Sequence, residues 1–218
     1  MHVQSETELV SFRDWTLRIR AATQGPARLL VLVHGWTGDE DSMWVFVHNF
    51  PPQHWIIAPR APFLTKPSGY SWRPLRVAAH DRPTFDDLQP AVESLIGLVD
   101  AYADENSLDV TQFDAIGFSQ GAAMVSSMAL LHPERIQRAG ILSGFVPAGA
   151  EELAQRQSLR GKPFFVAHGT LDEMVNIEIA RRSVKFLERA GANVTYCEDD
   201  VGHKLSARCL RALQEFFG

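Results

Sequence analysis

Apolar and polar positions alternate along Asp14 to Ala22, with Trp15, Leu17 and Ile19 in phase. This pattern predicts an exposed, edge-type antiparallel strand. The run Arg28 to Val33 differs, because it is almost continuously apolar. It predicts a strand buried on both faces, as in a parallel sheet. Shorter strand-like runs recur at His54 to Ala58, Phe113 to Phe118, Ala139 to Phe145, Pro163 to Ala167 and Asn193 to Glu198. Helical stretches lie between them, at Ser42 to Asn49, Gln120 to Leu131, Glu151 to Gln157 and Ile177 to Ala190, with a last one from near Leu205. Asp86 to Tyr102 carries Leu88, Val92, Leu95, Ile96 and Val99 at helical spacing, the mark of one apolar face. Strand and helix alternate, so the chain predicts a single three-layer α/β domain over residues 1–218, with a mostly parallel central sheet and helices on both faces. Only about twenty residues separate Phe145 from the next strand, too few for a helical lid domain. An open, shallow site is therefore expected.

The pattern breaks at two places that matter for chemistry. Pro59 to about Pro83 is long and irregular but rich in aromatic residues, which argues for a wall of a binding site. The other is Gly117-Phe118-Ser119-Gln120-Gly121, where a strand-like run meets a helical one with a serine at the corner. A nucleophile on such a sharp turn needs glycine two residues to either side, so that strand and helix can pack closely. The helix N-terminus then favours a developing anion.

A serine nucleophile needs a base, and the base an orienting acid. Of the eight histidines, His203 follows the last strand and Gly202 and precedes the last helix, where the order Ser, Asp/Glu, His places the base. His34 and His168 both precede glycine at strand ends and read as turn-stabilising. His2 is terminal, His48 and His132 lie in or beside helices, and His54 starts a strand. His80, in the long loop, stays open on sequence alone. Asp172, in the loop after the strand Pro163 to Ala167, is the candidate acid, with Glu173 its main rival and Asp199 and Asp200 behind. The oxyanion donors are expected to be the backbone N–H groups of Trp36 and Gln120. Phe63, Tyr70, Trp72, Phe145 and Met174 are the candidate substrate-binding residues, all in loops expected at one edge of the sheet.

Composition changes the picture little. The net charge of -5 and the absence of a Lys/Arg-rich run give nucleic-acid binding no support. The two cysteines, Cys197 and Cys209, are too few for a disulfide scaffold and read as buried free thiols. Met1 to Glu6 has no basic and apolar leader pattern, and no stretch is long enough to span a membrane. A cytoplasmic protein, without stable membrane insertion, is expected. No metal or cofactor is called for, and the chain is expected to act as a monomer or homodimer.

Leu32-Val33-His34-Gly35-Trp36, Gly117 to Gly121, Leu142-Ser143-Gly144-Phe145, His168-Gly169-Thr170-Leu171-Asp172 and Gly202-His203 together resemble the phospholipase/carboxylesterase family of α/β-hydrolases, which includes the acyl-protein thioesterases. Pro59-Arg60-Ala61-Pro62 and Gly69-Tyr70-Ser71-Trp72 resemble its substrate loop. The resemblance runs from about Arg28 to the end. It implies a lid-free serine esterase with an α/β-hydrolase fold, acting on small carboxylic esters, lysophospholipids or acyl thioesters. Trp36 departs from the pattern, because thioesterase members usually carry leucine there; its bulk points to short acyl chains. A peptidase or amidase using the same triad, and a non-catalytic ligand-binding homologue, are the alternatives.

Overall fold

The structure is a computed structural model and describes residues 7–74 and 82–218. Met1 to Glu6, with His2, and also His80 lie outside the described residues. Among those residues, eight strands form one sheet in the order β1-β2-β4-β3-β7-β8-β9-β10. β1 (Glu8–Phe12) and β2 (Trp15–Arg20) make an antiparallel hairpin, and β2 runs antiparallel to β4 (His54–Pro59). From β4 onward every neighbour is parallel: β3 (Arg28–Val33), β7 (Phe113–Phe118), β8 (Ile136–Leu142), β9 (Pro163–Gly169) and β10 (Asn193–Asp199). The architecture is that of an α/β-hydrolase, with helices on both faces of the sheet.

The two faces follow from the period of two in the central strands. Leu29, Val31 and Val33 pack with α2 (Phe85–Glu105), α3 (Gln120–Leu131) and α5 (Ile177–Arg189). Leu30 and Leu32 face the other way, toward α1 (Trp44–Val47) and α6 (Ala207–Phe217). Both sides of β3 are buried, which is why its sequence is an unbroken apolar run rather than an alternation. α3 lies buried along almost its whole length, so it is apolar all round, as a helix packed on every side must be.

Strand order reverses at β3, whose neighbours β4 and β7 lie on opposite sides of it. Loops leaving β3 and β7 at their C-terminal ends therefore diverge and leave a crevice between them. The loop carrying Trp36 and the turn carrying Ser119 both open there. Between β8 and β9 the only helix is the short α4 (Glu151–Gln155).

Three expectations change. The β1 strand, unread in the sequence, pairs Phe12 with Trp15 across a two-residue turn in which Arg13 takes a positive φ. The segment from Pro59 includes a small hairpin, β5 (Phe63–Leu64) and β6 (Tyr70–Ser71). The cysteines are not free: Cys197 in β10 and Cys209 in α6 form a disulfide. Their thiols meet because α6 packs back onto β9 and β10. No described helix is long and apolar enough to cross a membrane.

The bridge joins positions 12 residues apart, and the segment it closes contains His203. Closing a loop of that size removes about 3 kcal/mol of disorder from the unfolded chain. The double variant Cys197→Ala/Cys209→Ala is therefore expected to lose roughly that much stability in urea unfolding without reductant. Equal midpoints for the two proteins would contradict a closed bridge.

Candidate active site

The corner at Ser119 is sterically forced. Ser119 is the residue before α3 and has φ 54° and ψ -114°, a conformation that costs energy for any side chain and persists only when its surroundings over-determine it. Here they do. A Cβ on Gly117 would collide with the backbone of Gly121, and one on Gly121 would collide with the carbonyls of Val33 and His34. Strand β7, helix α3 and the end of β3 thus touch backbone to backbone, and only glycine fits at both positions. Ser119 itself is half-buried at the head of α3.

The loop after β3 is held from several sides. His34 is buried; its Nε2 accepts the Ala61 N–H at 3.0 Å, and Nδ1 donates to the Gly35 carbonyl at 2.7 Å. Both ring nitrogens are committed, and burial pushes the imidazole pKa below its ordinary value despite the opposing pull of that carbonyl. Thr37 donates its N–H to the Tyr70 carbonyl at 3.0 Å, and Tyr70 donates to Gly38 at 2.9 Å. Trp72 Nε1–H donates to the His34 carbonyl at 2.8 Å. Among the described residues, no acceptor takes the backbone N–H of Trp36 or of Gln120.

Asp172 and His203 are brought together. Asp172 Oδ2 accepts from His203 Nδ1 at 2.7 Å, with the Asp172 side chain fully buried and that of His203 partly exposed. Asp172 Oδ1 accepts the N–H groups of Met174 and Val175, each at 2.9 Å. A buried carboxylate needs such donors, because an unpaired one costs several kcal/mol. Among the described residues Glu173, Asp199 and Asp200 form no hydrogen bond or ion pair with His203; Asp199 is engaged by Arg208, and Asp200 by Thr170. The His203 ring lies against Phe118, 4.9 Å between centroids, beside the proposed nucleophile. No hydrogen bond joins Ser119 Oγ to His203 among the described residues.

The candidate substrate residues separate. Phe63 and Met174 are exposed, as is Trp36 at 42%. Tyr70 is half-buried with the Arg60 guanidinium 4.8 Å above its ring. Trp72 is corrected: it is only 1% exposed, its indole bound to His34, so it props the β3 loop from below and offers no surface to a ligand. Phe145 is buried too. It lines a cleft of about 360 Å³ with Arg82, Ile179 and Phe186, and none of Ser119, Asp172 and His203 borders that cleft.

Two side chains that the sequence reading set aside take part in the framework. Gln120 Oε1 accepts the N–H of Trp72 at 3.0 Å and lies 3.3 Å from Ser71 Oγ. It ties the β6 segment to the Ser119 turn. His168 Nε2 lies 3.3 Å from Asp172 Oδ2. The Gln120 tie was not legible from a motif, because Ser71 and Trp72 arrive on a segment distant in sequence, whereas His168 and Asp172 are only four residues apart. Among the described residues no cluster of His, Cys, Asp and Glu could hold a metal ion.

The sequence family described as Phospholipase/Carboxylesterase matches residues 16–218. Acyl-protein thioesterase 1 of Cryptococcus neoformans is 31% identical over 166 residues, 71% of this chain and 67% of that protein. A rice protein named a probable inactive carboxylesterase is 27% identical over 205 residues, 85% of this chain and 82% of its own length. The crystal structure of a carboxylesterase from Mesorhizobium loti superposes with a TM-score of 0.82 at 22% identity, covering 96% of this chain and 97% of that one; at that identity the likeness shows the fold.

The β3 loop ends in an ion pair that yields a pH test. Arg60 donates twice to Glu40, at 2.7 and 2.6 Å, and Glu40 is 4% exposed. The Arg60 hydrogen bonds hold the Glu40 carboxyl below its ordinary value of 4.5, outweighing the effect of burial. A depressed folded pKa contributes stability that is present above the unfolded value and is lost as pH falls through the folded one. Glu40→Gln is therefore expected to be less stable than wild type by about 1–3 kcal/mol at neutral pH, with the gap closing below pH 4.5. A gap independent of pH in denaturant titrations would contradict this.

Proposed function

This chain belongs to the phospholipase/carboxylesterase family and is an esterase or thioesterase; from that premise we propose that it works through Ser119, His203 and Asp172. Ser119 Oγ attacks the acyl carbon while His203 Nε2 takes its proton. The carbonyl oxygen becomes an oxyanion, received by the N–H groups of Trp36 and Gln120, neither of which has an acceptor among the described residues. Asp172 holds the imidazole in the tautomer that leaves Nε2 free and stabilises the imidazolium once formed. The imidazolium returns the proton to the leaving alcohol, and an acyl-enzyme remains. Water, deprotonated by the same imidazole, releases the acid and frees Ser119.

The observation that carries this reading is the 2.7 Å bond from His203 Nδ1 to a fully buried Asp172. It directs the free ring nitrogen away from the acid, on a ring that lies tilted against Phe118, beside the Ser119 turn. Catalytic hydrogen bonds tighten as substrate binds, so the Ser119–His203 bond is expected to close in the complex with ester. The rice relative named as inactive makes direct measurement the deciding evidence. Ser119→Ala is expected to lower kcat by roughly 10⁴- to 10⁶-fold with the fold intact, and a fluorophosphonate probe should label Ser119 alone. A Ser119→Ala variant that keeps most of its turnover would reject the assignment.

For the substrate we favour short-chain acyl esters. Trp36, Phe63 and Met174 present apolar surface on loops at the edge of the sheet where Ser119 sits, and a bulky indole next to the oxyanion donor shortens an acyl site. Lysophospholipids and acyl thioesters are the alternatives the family carries; a peptidase has no observation in its favour, and a non-catalytic binder has only the name of the rice relative. Each methylene that fits should add up to about 0.8 kcal/mol to transition-state binding, and the gain should stop where the chain meets the wall. Trp36→Leu is expected to move that cut-off to longer p-nitrophenyl esters in kcat/KM. If wild type already prefers palmitate, or the cut-off stays in place, Trp36 does not limit the pocket.

A further inference from the structure

His168 ends β9, and the proposed chemistry leaves it without a part. Its side chain and that of Asp172 are both fully enclosed. Nε2 lies 2.7 Å from the Val175 carbonyl oxygen and 3.3 Å from Asp172 Oδ2. A carbonyl oxygen only accepts, so the proton sits on Nε2. Nδ1 is buried and has no partner among the described residues. A second proton there would be an unpaired donor on a buried cation, so the ring is neutral. Burial also pushes its pKa below the ordinary histidine value, against the pull of the Val175 carbonyl and Asp172. The other charged or titratable groups around it are His203 and Glu198, and Glu198 is held by Arg181.

The bonds around Asp172 form a closed set. Oδ1 takes two backbone N–H groups, one of them from Val175; Oδ2 takes His203 and has room for one more donor. His168 Nε2 lies 3.3 Å from that oxygen, but its N–H is donated to the carbonyl of Val175. The imidazole thus grips the turn that binds the carboxylate's other oxygen and sits against the carboxylate itself. A Cβ on the next residue, Gly169, would collide with the carbonyls of Val201 and Gly202, so this turn also lies directly against the His203 loop.

We propose that His168 is a positioning residue for the catalytic acid: its neutral Nε2–H fixes the Val175 turn that holds Asp172, so that Oδ2 meets His203 Nδ1. The proposal rests on the reading of Ser119, His203 and Asp172 given above. His168 does not touch substrate and acts only through Asp172.

Steady-state kinetics on three variants test it. His168→Leu removes the donor at similar bulk, and His168→Gln puts an amide N–H near the Nε2 position. His168→Leu should lower kcat on the order of tenfold with KM within about twofold, the size of one buried hydrogen bond. His168→Gln should recover most of that loss. Wild-type kcat in His168→Leu, or equal losses in both variants, would overturn the proposal. Should His168→Leu fail to fold, ¹H–¹⁵N correlation of the wild-type imidazole rings decides: an Nε2–H tautomer that does not titrate between about pH 5 and 9 supports it, and an Nδ1–H tautomer or a titration in that range overturns it. Asp172→Asn separates the two levels. Full activity in Asp172→Asn would reject the triad itself, whereas collapse there with an intact His168→Leu would reject only the role of His168.

Discussion

The constraint on which the rest depends is the backbone contact at the Ser119 corner. A residue with φ 54° is uphill for serine, and the chain holds it there by removing every side chain that would push β7, α3 and the end of β3 apart. Gly117 and Gly121 are the two places where that is required. Because β3 is also the strand at which the sheet order reverses, the same contact brings the Trp36 loop alongside the Ser119 turn. The proposed oxyanion donors come from these two segments, so their spacing is set by backbone packing and needs no flexible side chain. The Gln120 side chain adds a second tie, from the head of α3 to Ser71 and Trp72.

The second organising centre is a buried charge. Asp172 can lie fully enclosed only because donors surround it, and each of those donors also fixes a piece of chain. Met174 and Val175 define the turn after β9, and His203 comes from the loop after β10. The His203 loop is held at both ends, by the Cys197–Cys209 bridge and by α6, whose final carbonyls accept from Arg138, itself paired with the buried Asp114. Rigid supports at a distance thus position a ring that itself remains partly open to the solvent side, where an ester would arrive.

Much of this was legible in the chain because periodicity reports burial. Leu29 to Val33 reads as a doubly buried strand, and the helices on both faces follow from their spacing. The Ser119 corner is legible because a steric need leaves a glycine signature. What stayed hidden depends on which loops meet in space. His34 and His168 share one local pattern, a histidine before glycine at a strand end. Yet the first is occupied by Ala61 and Gly35 and the second faces Asp172. Trp72 reads as part of a site wall, since irregular backbone gives no period from which to read direction, yet it is buried. The cysteines read as free because spacing along the chain does not show that α6 folds back against β10. The edge strand β1 is largely exposed, and an exposed strand leaves only a weak pattern.

The central claim is that Ser119 carries the acyl group between two half-reactions. Rapid mixing of enzyme with excess p-nitrophenyl ester, followed by acid quench and peptide mass mapping, tests it at the atom concerned. The account predicts a burst of p-nitrophenol close to one equivalent when deacylation is the slower step, and an acyl mass increment on the peptide containing Ser119. Steady turnover with the acyl mass on another residue, or with no acylated peptide at any time or with any ester in the series, would contradict it.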